Sequence, residues 1–275
     1  MAPAVVLLAA VALYPVLAGA WMSLERIILV FHERRFVGLD NFRELAVDER
    51  FRAALGRTIY FTVVAVAAEL ALALPLALLL DRTVRGRGLL RALVLVPWAI
   101  PTAVSAKLWA WMLEPGFGLF SRLWPGPAVN WLGDPAAALH VSILLDVWKT
   151  TPFVALLVLA GLQRIPREMV EAAQVDGASP ARIFWSLTLP LLRPAIGVAL
   201  LFRALDAFRV FDAIYVLTAG GPANGTETLS IYAYKTLVRA GDFGYGAAIA
   251  MATFGCMAAL FAVPFALLAR GEGER

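Results

Sequence analysis

The chain has 275 residues, of which 61% are hydrophobic and 16% are charged, and its formal net charge is +4. Its mean hydropathy is +0.78. This composition excludes a soluble domain built around one core and is typical of a polytopic membrane protein.

Long apolar runs recur along the whole chain. A hydrocarbon core about 30 Å thick is crossed by about 20 apolar residues in an α-helix. The runs are rich in Leu, Ala and Val and do not alternate with period two, so helices are favoured over a β-barrel. The predicted fold class is all-α, with six transmembrane helices at residues 2–24, 58–80, 89–113, 136–162, 190–218 and 245–269.

The first run differs from a secretory signal peptide. It has no basic segment before it, and it is longer than the roughly 7 to 15 apolar residues of a signal core. We expect it to remain in the protein as a membrane span.

The first polar segment, 25–57, carries acidic and basic residues in similar numbers. We expect a small folded surface element there. Positively charged residues are balanced between the two sides of the predicted bundle, so the positive-inside rule does not decide its orientation.

The polar segment 164–189, between the fourth and fifth predicted spans, carries the most specific motif. A Glu-Ala-Ala triplet alone carries little information in a chain this rich in alanine. Here the triplet is followed in register by Asp-Gly-Ala, Phe and a Leu-Pro pair. The residues of the pattern are Glu171, Ala172, Ala173, Asp176, Gly177, Ala178, Phe184, Leu189 and Pro190.

Local preferences predict a helix, a turn and a second helix in this segment. Pro166 suits the first turn of a helix over Arg167–Ala178, and Gly177 suits a stop with positive φ. Ser179-Pro180 is then typical of a new helix start. The alternative is an ordinary interfacial helix lying on the bilayer surface.

Signatures of an enzyme are missing from the sequence. No G-x-x-x-x-G-K-S/T stretch is present for ATP, and no nucleophile elbow occurs. Cys256, His32 and His140 lie far apart in sequence, which supports neither a disulfide framework nor a metal site. We therefore expect this chain to bind no cofactor and to have no intrinsic enzymatic activity.

The segment 164–189 resembles the EAA loop of membrane subunits in ATP-driven, binding-protein-dependent importers. Further segments are similar to the carbohydrate branch of these permeases, and the resemblance covers nearly the whole chain. In particular, 218–229 and 242–244 resemble the first membrane subunit of maltose, trehalose and glycerol-phosphate importers. The other matching segments are 37–42, 96–98, 148–153 and 211–222.

The resemblance implies a type I importer permease fold, with residues 1–275 forming one transmembrane domain. It also implies a homologous second permease subunit, two ATP-binding cassette ATPases that hold ATP and Mg, and an extracytoplasmic sugar-binding protein. No nucleic-acid partner is expected. The chain would lie in a bacterial inner or plasma membrane with both termini cytoplasmic, which places the EAA segment beside the ATPases as their coupling site.

Polar and aromatic groups inside the spans are candidates for the substrate pathway, because carboxylates bond hydroxyl groups while aromatic faces cover C–H surface. The candidates are Trp109, Asp146, Lys149, Asp206, Arg209, Asp212 and Tyr215. Packing or an interfacial position is the alternative for Trp109. A structural ion pair is the alternative for Asp146 and Lys149.

Four charged residues recur every three positions in the fifth predicted span, so opposite charges can pair along one helix. They are Arg203, Asp206, Arg209 and Asp212. Three residues turn about 300 degrees, so the ladder wraps around the helix and cannot line one pore throughout. It holds helices or subunits together, or part of it contacts sugar.

A disaccharide, maltose or trehalose, is the expected substrate. Glycerol-3-phosphate is an alternative, since Arg203, Arg209 and Lys149 can meet a phosphate if they face the pathway. Two other classes stay open. A secondary transporter would use Asp146, Asp206 or Asp212 for proton coupling, and a membrane scaffold would not transport at all.

Overall fold

The computed structural model describes the backbone of residues 2–81, 86–123 and 129–272, and the side chains of most of them. These residues are mainly helical, as predicted. The helices are α1 (Ala2–Met22), α2 (Asp40–Val47), α3 (Glu49–Asp81), α4 (Arg87–Ala99), α5 (Thr102–Met112), α6 (Leu119–Leu123), α7 (Pro135–Leu162), α8 (Arg167–Val175), α9 (Pro180–Ile183), α10 (Leu189–Phe208), α11 (Asp212–Leu217), α12 (Leu229–Tyr234) and α13 (Phe243–Glu272).

Four helical segments among the described residues are long and apolar enough to cross a membrane. They are Glu49–Asp81, Pro135–Leu162, Pro180–Phe208 and Phe243–Leu260. The bent pair α4 and α5 makes a fifth if it counts as one span. The first predicted span corresponds to α1, where the stretch Ala9–Met22 forms a shorter apolar helix. The membrane-helical fold class is confirmed, whereas the count of six is not reached by length and composition.

Two predicted spans are not continuous helices. Within 89–113, α4 and α5 meet at an angle of 85°. Pro101 lacks an N–H, and Ile100 before it is extended at φ −70° and ψ 133°, which breaks the helix there. Within 190–218, α10 ends at Phe208 and α11 begins at Asp212.

The chain divides into two compact units. Unit 1 contains residues 1–59, 209–211 and 227–275, and unit 2 contains residues 60–208 and 212–226.

Unit 2 is built around α7, which packs against α4, α5, α10 and α11. Its core contains Val158 and Leu192, both fully buried, with small residues of α3 and α10 beside them. A Cβ at Gly161 would lie 2.5 Å from the Cβ of Ala195. The glycine therefore permits the close packing of α7 on α10.

In unit 1, α1 packs against α13, and the segment 25–57 is folded as predicted. It contains an antiparallel hairpin of β1 (Glu25–Ile28) and β2 (Glu33–Phe36), followed by α2 and the start of α3. The amide of Asn41 donates to the carbonyls of Ser23 and Glu25 at 2.8 and 2.9 Å, which ties α2 to the hairpin.

A buried carboxylate, Glu227, connects two parts of unit 1. Arg50 donates to both of its oxygens at 2.8 and 2.9 Å, and Lys235 lies 2.8 Å from one of them. The side chain of Glu227 is fully buried. Nearby, the hydroxyls of Tyr232 and Tyr245 donate to Asp48 at 2.6 and 2.7 Å.

We expect these carboxylates to make the stability of the protein dependent on acid pH. Burial raises the pKa of Glu227, but hydrogen bonds from Arg50 and Lys235 outweigh it, so the pKa lies below its usual value. Burial also raises the pKa of Asp48, but hydrogen bonds from Tyr232 and Tyr245 help to outweigh this effect, so its pKa is lowered as well. A depressed pKa stabilises the fold above the pKa of the unfolded chain, and this contribution is lost as the pH falls through the folded pKa.

Glu227→Gln is expected to lower stability by about 1.5 to 3 kcal/mol near pH 7, the usual cost of losing hydrogen bonds to a charged group. Thermal unfolding of the purified protein should also depend less on pH below about pH 4.5, since Gln does not titrate. The control is Glu44→Gln, on an exposed position of α2. An acid-dependence in Glu227→Gln equal to that of the unaltered protein contradicts this role.

Candidate functional site

The segment 164–189, here called the coupling segment, lies between α7 and α10 and contains α8, α9 and a π-helix over Phe184–Thr188. α8 has no buried residue, and the side chains of Met169 and Val175 are 41% and 88% exposed. The helix predicted over 167–178 ends earlier, at Val175. The exposure values show that its apolar groups lie on the surface.

Gly177 ends α8 in the way the sequence predicts. Its φ is +77°, in the left-handed region, where glycine alone carries no Cβ strain. The N–H of Gly177 bonds to the carbonyl of Gln174, and the N–H of Ala178 bonds to that of Ala173, both at 3.0 Å. These two bonds form a Schellman motif, which satisfies the free carbonyls at the helix end. The motif accounts for the position of Gly177 within the pattern.

The second helix of the coupling segment also begins as predicted. The Ser179 hydroxyl accepts a hydrogen bond from the N–H of Arg182 at 3.3 Å, and Pro180 occupies the first turn of α9. The Leu189 N–H then bonds to the Phe184 carbonyl, five residues back, in the π-helix. Pro190 follows it and lacks an N–H, so the regular ladder of the helix cannot form at this point.

A cavity of about 370 Å³ lies beneath α8. Glu171 and Arg167 line it from α8, while Asp81, Leu162 and Thr188 line it from the ends of α3 and α7 and from the π-helix. α8 thus has an exposed outer face and a cavity on its inner side.

Two of the predicted membrane-embedded candidates, Asp146 and Asp206, are brought together around Arg203, in α10. Its guanidinium donates two hydrogen bonds to the carboxylate of Glu69, at 2.6 and 2.8 Å. It also donates to Asp146 at 2.9 Å and to Asp206. Thr150 donates to Glu69 at 2.7 Å. These five residues, here called the carboxylate cluster, join α3, α7 and α10.

The residues of the carboxylate cluster differ in their exposure to solvent. The side chains of Arg203 and Glu69 are 3% and 0% exposed, and that of Asp146 is 11% exposed. The side chain of Asp206 is 54% exposed. Arg203 is therefore buried at the centre of the cluster, whereas the side chain of Asp206 is half-exposed.

The alternative considered for Asp146 and Lys149, an ion pair between them, is not what the structure shows. Asp146 bonds to Arg203, whereas the Lys149 ammonium donates to the carbonyls of Ile100 and of Trp98, the latter at 3.3 Å. Since α4 ends here, these carbonyls lack helical partners. Lys149 thus holds the break between α4 and α5.

The predicted ladder does not run along one helix. Arg203 and Asp206 pair within α10 as predicted, but Arg209 lies beyond the end of α10 and belongs to unit 1. Asp212 begins α11 in unit 2. The helix ends before the third member of the ladder is reached, so the regular spacing is lost.

Two aromatic candidates differ in their surroundings. Trp109 of α5 is buried, and its ring centre lies 5.9 Å from that of Trp148 in α7. Tyr215 is half-buried in α11, which packs against α5 and α7. Trp109 therefore packs inside unit 2.

Glu69 is not among the pathway candidates that the sequence indicates. The signal was present, because a single carboxylate within an apolar span is costly and needs a partner or a function. Its partner Arg203 lies 134 positions away in sequence. Thr150, which supports Glu69, gave no comparable signal.

Comparison with known proteins shows which protein family this chain matches. Residues 69–270 match the family described as binding-protein-dependent transport system inner membrane component. A similar protein is the trehalose/maltose transport system permease of Thermococcus litoralis, 47% identical over 244 residues, which are 87% of this chain and 82% of that protein. The trehalose transport system permease of Mycobacterium tuberculosis is 42% identical over 261 residues, covering 94% of this chain and 84% of that protein.

A solved structure with a similar fold is a bacterial ABC transporter involved in the import of the acidic polysaccharide alginate. The TM-score is 0.82 at 24% identity, and the match covers 97% of this chain and 92% of the other. At this identity the likeness shows the fold alone, which is that of an importer permease.

Proposed function

Because the chain belongs to the family of binding-protein-dependent transport system inner membrane components, we propose that it forms half of the pathway of an ATP-driven disaccharide importer, with trehalose or maltose as substrate. The chain is a transport subunit rather than an enzyme. The observation that carries the choice of sugar is its 47% identity with a trehalose/maltose permease over most of both chains.

The chemistry of the carboxylate cluster is consistent with a neutral sugar. Asp206 offers a half-exposed carboxylate that can accept hydrogen bonds from sugar hydroxyls. Asp212 is exposed at the start of α11, and Tyr215 lies one turn further on. We assign direct contact with the sugar to Asp206, Asp212 and Tyr215.

A phosphorylated substrate is less well supported. Two of the cations considered for a phosphate, Arg203 and Lys149, are buried and already donate to carboxylates or to carbonyls. A phosphate would have to displace these bonds and would meet the negative charge of Asp206. Arg209 is the one member of the proposed phosphate set that is exposed.

The coupling segment is the proposed docking site for the ATPase partners. α8 offers an exposed apolar surface with the acidic residues Glu168 and Glu171, and such a helix fits a cleft on a partner. The ATPases would hold ATP and Mg. Their closure on ATP would shift α8 and tilt the spans, so that the pathway opens alternately to the two sides.

The remaining partners and the orientation complete the proposal. A homologous second permease forms the other half of the pathway, and a sugar-binding protein delivers substrate to the outer face. Both termini lie in the cytoplasm, on the side of the ATPases.

The substrate is tested by accumulation of labelled trehalose, maltose and glycerol-3-phosphate in cells with and without this gene. The proposal predicts loss of trehalose or maltose uptake on deletion and recovery on complementation, with glycerol-3-phosphate uptake unchanged. Loss of glycerol-3-phosphate uptake instead would overturn the choice of sugar. No change for any of the three would move the assignment to another solute or to a scaffold.

A further inference from the structure

The turn between β1 and β2 exposes three consecutive large apolar residues. This turn, here called the hairpin tip, is the 3-10 helix Leu29–Phe31, which has no buried residue. Leu29, Val30 and Phe31 are 56%, 70% and 74% exposed. Exposed apolar residues scattered singly are ordinary on protein surfaces, but a contiguous set at a turn indicates a binding surface.

The hairpin is fastened where two apolar helices end. β1 begins three residues after α1 ends at Met22. The N–H of Leu29 donates to the carbonyl of Gly241 at 3.0 Å, and Ile28 forms a β-bridge with Asp242, just before α13 begins. The hairpin is therefore attached next to the start of Phe243–Leu260, a segment long and apolar enough to span a membrane.

The close approach of the hairpin to α13 requires a glycine. A Cβ at Gly244 would lie 2.0 Å from the carbonyl oxygen of Glu25. This distance is too short for any side chain, and the oxygen belongs to the backbone, so it cannot move aside without moving β1. The backbone of β1 thus packs directly against α13 at Gly244.

The groups along the hairpin match the chemistry of a phospholipid surface. At its open end, away from the tip, Trp21 and Phe36 are 56% and 64% exposed, and their ring centres are 5.9 Å apart. Tryptophan is enriched where a membrane meets water. The side chains of Arg34 and Arg35 are 67% and 61% exposed, although each pairs with a glutamate. Residues 25–36 contain three Arg and two Glu, so the hairpin has a small excess of positive charge beside its apolar tip.

We propose that the hairpin tip inserts into the headgroup and acyl boundary of the adjoining lipid leaflet, with phospholipid as its occupant. Leu29, Val30 and Phe31 contact the upper acyl chains, and the exposed guanidiniums contact headgroup phosphates. The bilayer is the apolar solvent nearest to a hairpin held at the ends of two membrane helices. Lipid contact at this point would fix the depth of α1 and α13.

The test uses a single fluorescent label in the assembled transporter, reconstituted in phospholipid bilayers without its binding protein. The chain has one cysteine, so Cys256→Ser provides a background free of cysteine in this subunit. Val30→Cys places the label on the hairpin tip, and Glu44→Cys places it on the exposed face of α2 as a matched control. Each label is quenched in turn by a lipid carrying a nitroxide near its headgroup and by aqueous iodide.

The Val30 label is expected to be quenched several-fold more by the nitroxide lipid than the Glu44 label, and several-fold less by iodide. Iodide quenching equal at the two positions would overturn the proposal. A Val30 label shielded from both quenchers would also overturn it, because a neighbouring protein would then cover the hairpin tip. Neither result depends on which sugar the transporter carries.

Discussion

Gly177→Val is expected to reduce sugar uptake by about tenfold or more without changing the affinity of the binding protein for sugar. The φ of +77° places this residue in the left-handed region, where a side chain costs about 1 to 2 kcal/mol. A β-branched residue is strongly disfavoured there. A penalty of about 1.4 kcal/mol lowers the population of the correct turn about tenfold. Uptake should fall accordingly, because α8 would no longer be held in the orientation proposed for its contact with the ATPases.

The expected loss of uptake does not come from a steric clash, because a Cβ built at Gly177 has no neighbouring atom within 4 Å. Gly197 is the matched control, since it also has open space around its Cβ but lies inside α10 without positive φ. Gly197→Val should leave uptake close to normal. Uptake is measured in cells, together with the amount of permease in the membrane. Normal uptake by Gly177→Val at normal abundance would remove the coupling segment from the mechanism.

Arg203→Met is expected to abolish uptake and to deplete the protein from the membrane. Glu69 and Asp146 would lose their shared cation while staying buried. Removing one partner of a buried ion pair costs about 3 to 5 kcal/mol, a large part of a total stability of about 5 to 15 kcal/mol. Abundance in membranes and thermal unfolding of the purified complex measure the effect.

Combined substitution separates loss of charge balance from loss of packing. Glu69→Met together with Arg203→Met removes the most buried pair as a unit, so we expect more protein in the membrane than with Arg203→Met alone. The single substitution Arg209→Met, at an exposed position, should leave abundance unchanged. An Arg203→Met protein as abundant and as stable as the unaltered protein would contradict the structural role of the carboxylate cluster.

Features governed by local chemistry were predicted well from the sequence. The predicted span 136–162 corresponds to α7 at Pro135–Leu162, because a long apolar run both forms the helix and sets its length. The stop at Gly177 and the start at Pro180 follow from the conformational preferences of these two residues. The pair of Arg203 with Asp206 follows from helical spacing.

Features governed by distant residues were not predicted. Glu69 and Arg203 meet across 134 positions, and no local pattern joins them. Lys149 bonds to carbonyls that become available only because the helix breaks at Pro101. Hydrophobicity continues through the break at 100–101, so apolar length alone merged α4 and α5 into one span. The break at 209–211 lies among the charged residues of the ladder, and the predicted span 190–218 ran through it.

The most direct test is accumulation of labelled trehalose and maltose in vesicles containing the purified complex of this chain, its second permease and its ATPases. The account predicts accumulation of at least one of these sugars only when Mg-ATP and the binding protein are both supplied on their proper sides. A proton gradient alone should drive none. Accumulation driven by a proton gradient without ATP would contradict the account and would identify a secondary transporter.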